Sequence, residues 1–368
     1  MDQTIREIAA RIDEINKKRL LLASELDRCN SAGIASLKEK IVPAKLDREL
    51  IVVGVDGGFL KKEYHGAGLI LRRAVAVAFK FDKDLKLINT NYFPNRRPLP
   101  EPVVTGPELS EQEFSLLAGL KREECELETA LAAIEKFSPD VLVRDGSIIL
   151  YPGSAVEKES KVYGEYQKVI GLFTQLYKTC KEKNILLVGA VEDSRGKRYC
   201  GILKNEVIPT LTAFENVSKD IREKIDLNKD VLDITTDTLF LYYLLNVGER
   251  TAALDYSTTS DLPIIADLAE FRKNIYVSYI KAAEFDRPLR LDFFAEPERL
   301  QETADKITSI IFALSNQNRL YSYPSVLIEA DARAKLSEEE IDLLKAAISE
   351  KLGRNPAMFE LRREMRPF

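Results

Sequence analysis

The segment IVVGVDGG, residues 51–58, places one carboxylate after five apolar or small residues and before two glycines. Its length and its β-branched residues predict a buried strand over Ile51–Val55. An Asp-Gly pair after a strand is typical of a turn, because Asp caps turns and Gly tolerates positive φ. The alternative is that Asp56 is an acid held at a strand end to bind a ligand.

The same pattern recurs in VLVRDGS, residues 141–147, where an apolar strand again ends in Asp-Gly. Between the two copies, the runs 68–81 and 85–93 read as two further strands, which predicts an antiparallel meander. The segment 94–109 is too rich in proline for a regular element. Ser110 and Glu113 then form a capping-box signature that opens a helix reaching about Phe137. The predicted order is β-β-β-α-β.

Two aspartates at strand ends of one sheet can converge, and a helix between them can add a third carboxylate. The helix offers four glutamates for that place: Glu123, Glu124, Glu126 and Glu128. Converging carboxylates cannot all stay ionised unless a cation neutralises them. Oxygen ligands of this kind suit Mg²⁺ or Mn²⁺. The repeated motif therefore favours a cation site over two unrelated turns.

Composition limits the other chemistries. The chain has 368 residues, 45% of them hydrophobic, a net charge of −5, four scattered cysteines and one histidine. These numbers predict a globular fold without a zinc cluster or a disulfide framework, and His65 is expected in a solvated loop. No membrane span or signal sequence is predicted, so we expect a cytoplasmic protein.

The N-terminal segment is predicted to be an amphipathic helix, followed by a polar connector over 38–48. Its apolar stripe consists of Ile5, Ile8, Ile12, Ile15 and Leu22. The stripe could pack on the body of the protein or on another chain. Since the core elements begin near residue 50, we expect contact between chains, and we expect residues 1–30 to be dispensable for folding.

The order of elements, with Asp on the first strand, Glu on the helix and Asp after the fourth strand, resembles the ribonuclease H-like fold. Within it, VGVDGG (53–58), ECELETALAAIEKF (124–137), VLVRDGS and GAVEDSRGKR (189–198) resemble the NurA family of archaeal DNA-repair nucleases. The resemblance implies an α/β fold, a ribonuclease H-like mixed sheet flanked by helices, over 49–353. It leaves a helical N-terminal extension over 1–48 and a C-terminal tail over 354–368.

The resemblance also implies a metal site. Asp56 and Asp145 match the family's metal-binding aspartates, and Glu126 matches its helical glutamate because it directly precedes an apolar stripe; Glu123, one turn away, is the reserve candidate. Two Mn²⁺ or Mg²⁺ ions are expected. In YPSVLIEADARAKLS (323–337) the family pattern has a histidine where this chain has Asp331, which is the fourth predicted catalytic residue. Asp193 is the other late acid that could complete the site.

The function implied by the resemblance is metal-dependent DNA hydrolysis, by single-strand endonuclease and 5′–3′ exonuclease action, in end resection and double-strand break repair. The implied partners are DNA, a HerA-type hexameric translocase and a second copy in a homodimer. The expected DNA contacts are basic residues on three segments: Arg72, Arg96, Arg97, Arg195, Lys197 and Arg198. Two alternatives are an actin-like or sugar-kinase-type phosphotransferase, whose late glycine-rich adenosine motif is not found, and a non-catalytic adaptor of an ATPase ring.

Overall fold

The protein was analysed as a computed structural model that describes residues 2–31, 33, 36–64, 66–213, 217–256 and 263–352. These residues form two compact units. The first, here the N-terminal unit, is drawn from 1–44, 190–256 and 276–324; the second, here the Asp56 unit, is drawn from 45–189, 257–275 and 325–368. His65 and the predicted tail over 354–368 lie outside the described residues. No described helix is long and apolar enough to cross a membrane.

The strands are β1 (Lys38–Lys40), β2 (Leu50–Glu63), β3 (Gly68–Phe81), β4 (Leu87–Phe93), β5 (Glu101–Thr105), β6 (Val141–Asp145), β7 (Leu186–Val191), β8 (Glu249–Thr251), β9 (Leu254–Asp255), β10 (Ile275–Ile280) and β11 (Leu289–Phe294).

The α-helices are α1 (Asp2–Ser31), α2 (Glu111–Phe137), α3 (Tyr163–Lys183), α4 (Arg198–Ile202), α5 (Ile208–Ala213), α6 (Lys219–Asn228), α7 (Asp237–Leu244), α8 (Pro263–Asp267), α9 (Leu300–Ser315), α10 (Ser325–Ala334) and α11 (Glu338–Leu352). Short 3-10 turns cover Pro152–Ser154, Lys229–Ile234, Ala269–Lys273 and Pro297–Arg299, and a π-helical turn covers Leu203–Val207.

The sheet of the Asp56 unit has the order β7-β6-β2-β3-β4, with β5 also paired to β3. Strands β2, β3 and β4 form the predicted antiparallel meander, whereas β6 runs parallel to β2. Helices α2 and α10 both pack on β2 and β3. This mixed sheet flanked by helices confirms the predicted α/β, ribonuclease H-like class.

Two sequence predictions about strands in this unit are wrong. Strand β2 does not end at Val55, because Asp56 pairs with Val75 and the ladder continues to Glu63. The long apolar run of β3 supplies a backbone partner for every residue, so Asp-Gly is not a turn here. The proline-rich segment also contains a strand, β5, which is possible because a strand paired on one side tolerates Pro102.

Helix α2 follows the sequence prediction closely. Ser110 accepts a hydrogen bond from the Glu113 N–H, and the Glu113 side chain accepts from the Ser110 N–H, which completes the capping box. The helix ends at Phe137, where Ser138 adopts a left-handed conformation with φ of 45°. Pro139 then prevents further helix. The bounds place Glu123–Glu128 in the middle of the helix, where the backbone is held on both sides.

Helix α10 approaches the backbone of β2 directly. A Cβ added to Gly54 would lie 2.9 Å from Val326 Cγ2, and one added to Gly58 would lie 2.7 Å from the Ala334 carbonyl oxygen. Alternate residues of a strand face one side. Asp56, between these two glycines, therefore points toward the face that α10 covers.

In the N-terminal unit, β1, β8, β10 and β11 are consecutive in the sheet order, with β9 paired to β10. The predicted polar connector over 38–48 therefore begins with a strand, because β1 finds a backbone partner in β8. Helix α1 packs on α6 and α7. Leu22 and Leu26 are buried in this core, while Ile5, Ile8 and Ile12 are more than half exposed.

The apolar stripe of α1 is thus divided between two environments. Its second half belongs to the core of the N-terminal unit, so the prediction that residues 1–30 are dispensable for folding is wrong. The sequence alone concealed this because the helices that cover Leu22 and Leu26 come from a distant part of the chain. The exposed first half still offers a surface to another chain, which remains a prediction.

Leu22→Ala should lower the free energy of unfolding by about 2–5 kcal/mol, because it removes a buried side chain and leaves a cavity. Leu21→Ala is the matched control, since Leu21 is 51% exposed and Leu22 is 0% exposed. Urea unfolding followed by circular dichroism measures both. Equal losses in the two variants would mean that α1 does not pack as described.

Candidate active site

Asp56 is the most enclosed of the predicted aspartates. It lies within β2 with 5% of its surface exposed. One carboxylate oxygen, Oδ1, accepts a hydrogen bond of 2.7 Å from the N–H of Gly57. Its carboxyl group is close to that of Asp145, and the two groups repel one another when both are ionised.

Asp145 reaches the same point through strand pairing. It is the last residue of β6, and Gly146 turns the chain away with φ of 80°. In the parallel ladder Val55 is level with Arg144, so the next residue of each strand, Asp56 and Asp145, are also level. The repeated Asp-Gly motif is therefore brought together by adjacent parallel strands, although only the second copy stands at a strand end.

Glu126 comes from α2 and lies over Gly57, on the opposite face of β2 from Asp56, and its charge still reaches the Asp56 carboxyl. A Cβ at position 57 would lie 2.5 Å from Glu126 Cγ and 2.8 Å from Glu126 Oε1. Real Cβ atoms do not come this close to another heavy atom, so the packing requires glycine at 57. Gly57, the glycine of this Asp-Gly pair, therefore makes room for the Glu126 side chain and does not form a turn.

Two arginines hold the glutamates of α2. Nη2 of Arg144 lies 2.7 Å from Glu126 Oε2 and 2.8 Å from Glu123 Oε2. Nη2 of Arg122 lies 3.1 Å from Glu123 Oε1, and its Nε lies 3.4 Å from Glu126 Oε1. The two carboxylates and two guanidiniums form a closed set of ion pairs beside Asp56.

Burial and mutual repulsion change the acidities of this cluster. Burial, together with the nearby charges of Asp145 and Glu126, raises the pKa of Asp56 to about 8. Burial also raises the pKa of Glu126 to about 7, although Arg122 and Arg144 oppose the change. Burial opposes the ionised form of Glu123 too, but the charges of Arg144 and Arg122 outweigh it and lower the pKa of Glu123.

This donor set fits a divalent cation. Asp56, Asp145 and Glu126 supply only oxygen donors, and their charges repel one another in a poorly solvated place. Within the ranges that the structure describes, no three acidic, histidine or cysteine side chains are gathered as ready metal ligands. Because Glu126 is engaged by Arg144 and Arg122, it must turn from these arginines before it can join the two aspartates on one ion.

The other glutamates of the helix segment have different partners. Glu124 is held by three cationic side chains, those of Arg72, Lys121 and Lys168. Glu128 is half exposed and pairs with Lys168 at 3.3 Å. Both carboxylates are therefore neutralised by cations that do not pair with Glu126. Of the four glutamates left open by the sequence, Glu123 and Glu126 are the two that share the ion-pair set.

The two late acids are placed differently. Asp331 is exposed on α10, directly after the buried Ala330, in the same unit as Asp56. Since Val326 is level with Gly54 and Ala334 with Gly58, position 331 is roughly level with Asp56 along β2. Asp193 belongs to the N-terminal unit and pairs with Arg287 at 2.6 Å. Asp331 thus remains the fourth candidate within the Asp56 unit.

The predicted DNA contacts fall into two groups. Arg96, Arg97 and Arg195 are exposed, and Arg96 lies over the ring of Tyr92 at 5.8 Å.

The other three are engaged by the protein itself. Arg72 pairs with Glu101 and Glu124, Lys197 donates to the Asp233 carbonyl, and Arg198 donates to the Tyr256 carbonyl. The exposed group is therefore better placed to meet phosphates.

Sequence reasoning did not single out Arg122 or Arg144. Arg144 gave a signal, since it is the one charged residue inside the apolar strand VLVR that precedes Asp145. A charge in a fully buried strand requires a partner, which here is a pair of glutamates. Arg122 gave a weaker signal, its spacing of four residues from Glu126 on one helix face.

Most of the chain matches one known protein family. The NurA domain family matches residues 50–336. The chain belongs to the NurA family. No curated protein matches it.

Solved NurA structures resemble the chain over nearly its whole length. The NurA nuclease from Sulfolobus solfataricus is 16% identical, with a TM-score of 0.53, over 94% of this chain and 97% of that one. A NurA bound to dAMP and manganese is 13% identical, with a TM-score of 0.44, over 97% of this chain and 99% of that one. The predicted family is confirmed, and with it the prediction of a nuclease that hydrolyses DNA.

At about pH 8.5, above the pKa of about 8 of Asp56, Asp56→Asn should raise the melting temperature of the metal-free protein by about 2 °C or more, because a neutral amide relieves the repulsion among buried carboxylates. Mn²⁺ should raise the melting temperature of the wild type but not of this variant. Asp47→Asn, an exposed position on the same unit, should change neither value. Differential scanning calorimetry with and without Mn²⁺ measures all three proteins. A lower metal-free melting temperature for Asp56→Asn would show that the ionised Asp56 stabilises the fold.

Proposed function

We propose that this NurA family nuclease cleaves DNA strands with divalent cations held by Asp56, Glu126 and Asp145, and that Asp331 completes the site. The observation that carries the proposal is the level position of Asp56 and Asp145 on adjacent parallel strands, with Glu126 over the neighbouring Gly57. Because the chain belongs to a family with one member solved with manganese and dAMP, Mn²⁺ is the first ion to test and Mg²⁺ the second.

The side chains divide the work of hydrolysis. Two divalent ions about 3.5–4 Å apart would supply an activated water and neutralise charge on the leaving oxygen. Asp56 and Asp145 would hold these ions, and the rigid ladder between β2 and β6 fixes the two carboxylates relative to each other. Glu126 closes the site from α2, and Arg144 anchors Glu123 beside it. Asp331 takes the place that a histidine holds in the family pattern, so it adds an oxygen donor and not an imidazole.

DNA approaches this site with its phosphates facing basic side chains. Arg96 and Arg97 are the exposed members of the predicted set in the Asp56 unit. In the N-terminal unit Arg195 and Lys197 are exposed, and Lys197 also donates to the Asp233 carbonyl. Arg96 lies over the Tyr92 ring, a pairing that leaves the guanidinium edge available for hydrogen bonds. Contacts to phosphate carry no base information, which suits a nuclease acting in end resection.

Glu126→Gln should abolish cleavage of labelled single-stranded DNA, whereas Glu128→Gln should retain it. Residue 128 is about 200° around the helix from residue 126 and pairs with Lys168 instead. Chelation with EDTA should abolish wild-type cleavage, and added Mn²⁺ should restore it. Turnover by Glu126→Gln at the wild-type rate would remove Glu126 from the site, and metal-independent cleavage would overturn the proposed chemistry.

The proposal includes cytoplasmic partners, a HerA-type hexameric translocase and a second copy of the chain. The single-strand endonuclease and 5′–3′ exonuclease activities would then act on strands that the translocase delivers. Ile5, Ile8 and Ile12 form the exposed apolar surface that one of these contacts could use.

Deleting residues 1–13 removes the exposed half of the stripe but keeps the buried half that contains Leu22. The truncated protein should stay folded and should lose dimerisation or translocase binding. Analytical ultracentrifugation of the nuclease alone and with the translocase measures both associations. Unchanged assembly of the truncated protein in both experiments would place the interface elsewhere.

A further inference from the structure

Arg122 has an unusual position among the charged groups of the site. It precedes Glu126 by four residues on α2, so the two side chains lie on one helix face. Its guanidinium pairs with Glu123 at 3.1 Å and with Glu126 at 3.4 Å. It is also close enough to Asp56 to feel its charge. One guanidinium thus serves Glu123, Glu126 and Asp56, of which Glu126 and Asp56 would meet a cation.

The two arginines of the cluster differ in how firmly they are held. The side chain of Arg144 is 1% exposed and donates to Glu123, Glu126 and the Ser147 carbonyl. The side chain of Arg122 is 38% exposed, its contacts with the carboxylates are longer, and its guanidinium lies 6.0 Å from the Phe59 ring centre. Arg144 is therefore a fixed support, whereas Arg122 is the more exposed and the less tightly held of the two.

A divalent cation would compete with Arg122 for the carboxylates of the site. The four carboxyl groups Asp56, Glu123, Glu126 and Asp145 carry four negative charges when fully ionised. Arg122 and Arg144 supply two positive charges, which leaves a deficit of two. A divalent cation that draws Glu126 onto itself takes away a partner of Arg122 and repels its guanidinium. The released side chain would remain beside the carboxylates that hold the cation.

We propose that Arg122 is a further substrate-binding residue of this nuclease: its guanidinium neutralises the carboxylates before a divalent cation binds, and then contacts a phosphate of the DNA strand. The inference rests on the proposed function, because it needs a cation and a phosphodiester at this site. A guanidinium matches the two oxygens of a phosphate in a planar fork, which Lys cannot do. Arg122 would thus pair first with the carboxylates and then with the phosphate.

Mn²⁺ binding to the DNA-free protein tests the first half of the proposal. Arg122→Gln removes the competing charge, so isothermal titration calorimetry should show Mn²⁺ binding about threefold tighter or more than in wild type. Lys121→Gln is the matched control, because Lys121 is adjacent on α2 but pairs with Glu124 and Glu165. That variant should bind Mn²⁺ like wild type.

DNA binding tests the second half. With Ca²⁺ in place of Mn²⁺, fluorescence anisotropy of a single-stranded oligonucleotide should show weaker binding by Arg122→Gln. The slope of the logarithm of affinity against the logarithm of salt concentration should be smaller by about 0.7, the value for one lost phosphate contact on a single strand. Lys121→Gln should keep the wild-type slope. Arg122→Lys should bind Mn²⁺ like wild type and should bind DNA more weakly than wild type. If Arg122→Gln does not fold, the DNA affinity of Arg122→Lys tests the phosphate contact instead.

The outcomes separate the inference from the proposed function. If wild-type protein binds no Mn²⁺, the proposed function fails. If wild type binds Mn²⁺ but Arg122→Gln binds it equally or more weakly, Arg122 is a bystander or merely positions Glu126, and the inference fails. An unchanged salt slope in Arg122→Gln, or unchanged DNA affinity in Arg122→Lys when only that variant folds, also overturns it.

Discussion

Repulsion among carboxylates in a poorly solvated place is the constraint on which the site depends. Asp56 and Asp145 are level on β2 and β6, Glu126 lies over Gly57 from α2, and burial raises the pKa of Asp56 to about 8. Such a cluster stays assembled only if protons, arginines or metal ions compensate its charge. The structure shows arginines in this role, and the proposed function adds the metal ion. Without a cation, the repulsion among these buried carboxylates therefore destabilises the folded protein.

The sheet supplies the rigidity that this arrangement requires. Fourteen residues of β2 pair with β3 on one side, and β6 pairs with β2 in parallel on the other. Asp56 and Asp145 are level because of this register, and no loop has to position either of them. Gly57 allows Glu126 of α2 to approach one face of β2, and Gly54 and Gly58 allow α10 to pack closely on the other face.

The sequence predicted much of this unit for physical reasons. The capping box at Ser110 and Glu113 and the β-branched run before Asp56 are local signals, and both elements form where they were expected. The end of β2 was wrong because Asp-Gly is ambiguous until the partner strand is known. Arg122 and Arg144 were missed because ion pairs depend on which side chains meet in space. Leu22 was misjudged for the same reason, since α7 covers it from far along the chain.

The central claim is that Asp56, Asp145 and Glu126 bind one divalent cation and that Glu126 leaves its arginine partners to do so. A crystal of the protein grown with Mn²⁺ and measured at the manganese absorption edge tests it directly. The account predicts an anomalous peak within about 2.2 Å of an oxygen of each of the three carboxylates, with Glu126 no longer bonded to Arg122. A peak elsewhere, or Mn²⁺ bound while Glu126 stays on Arg122 and Arg144, would contradict it.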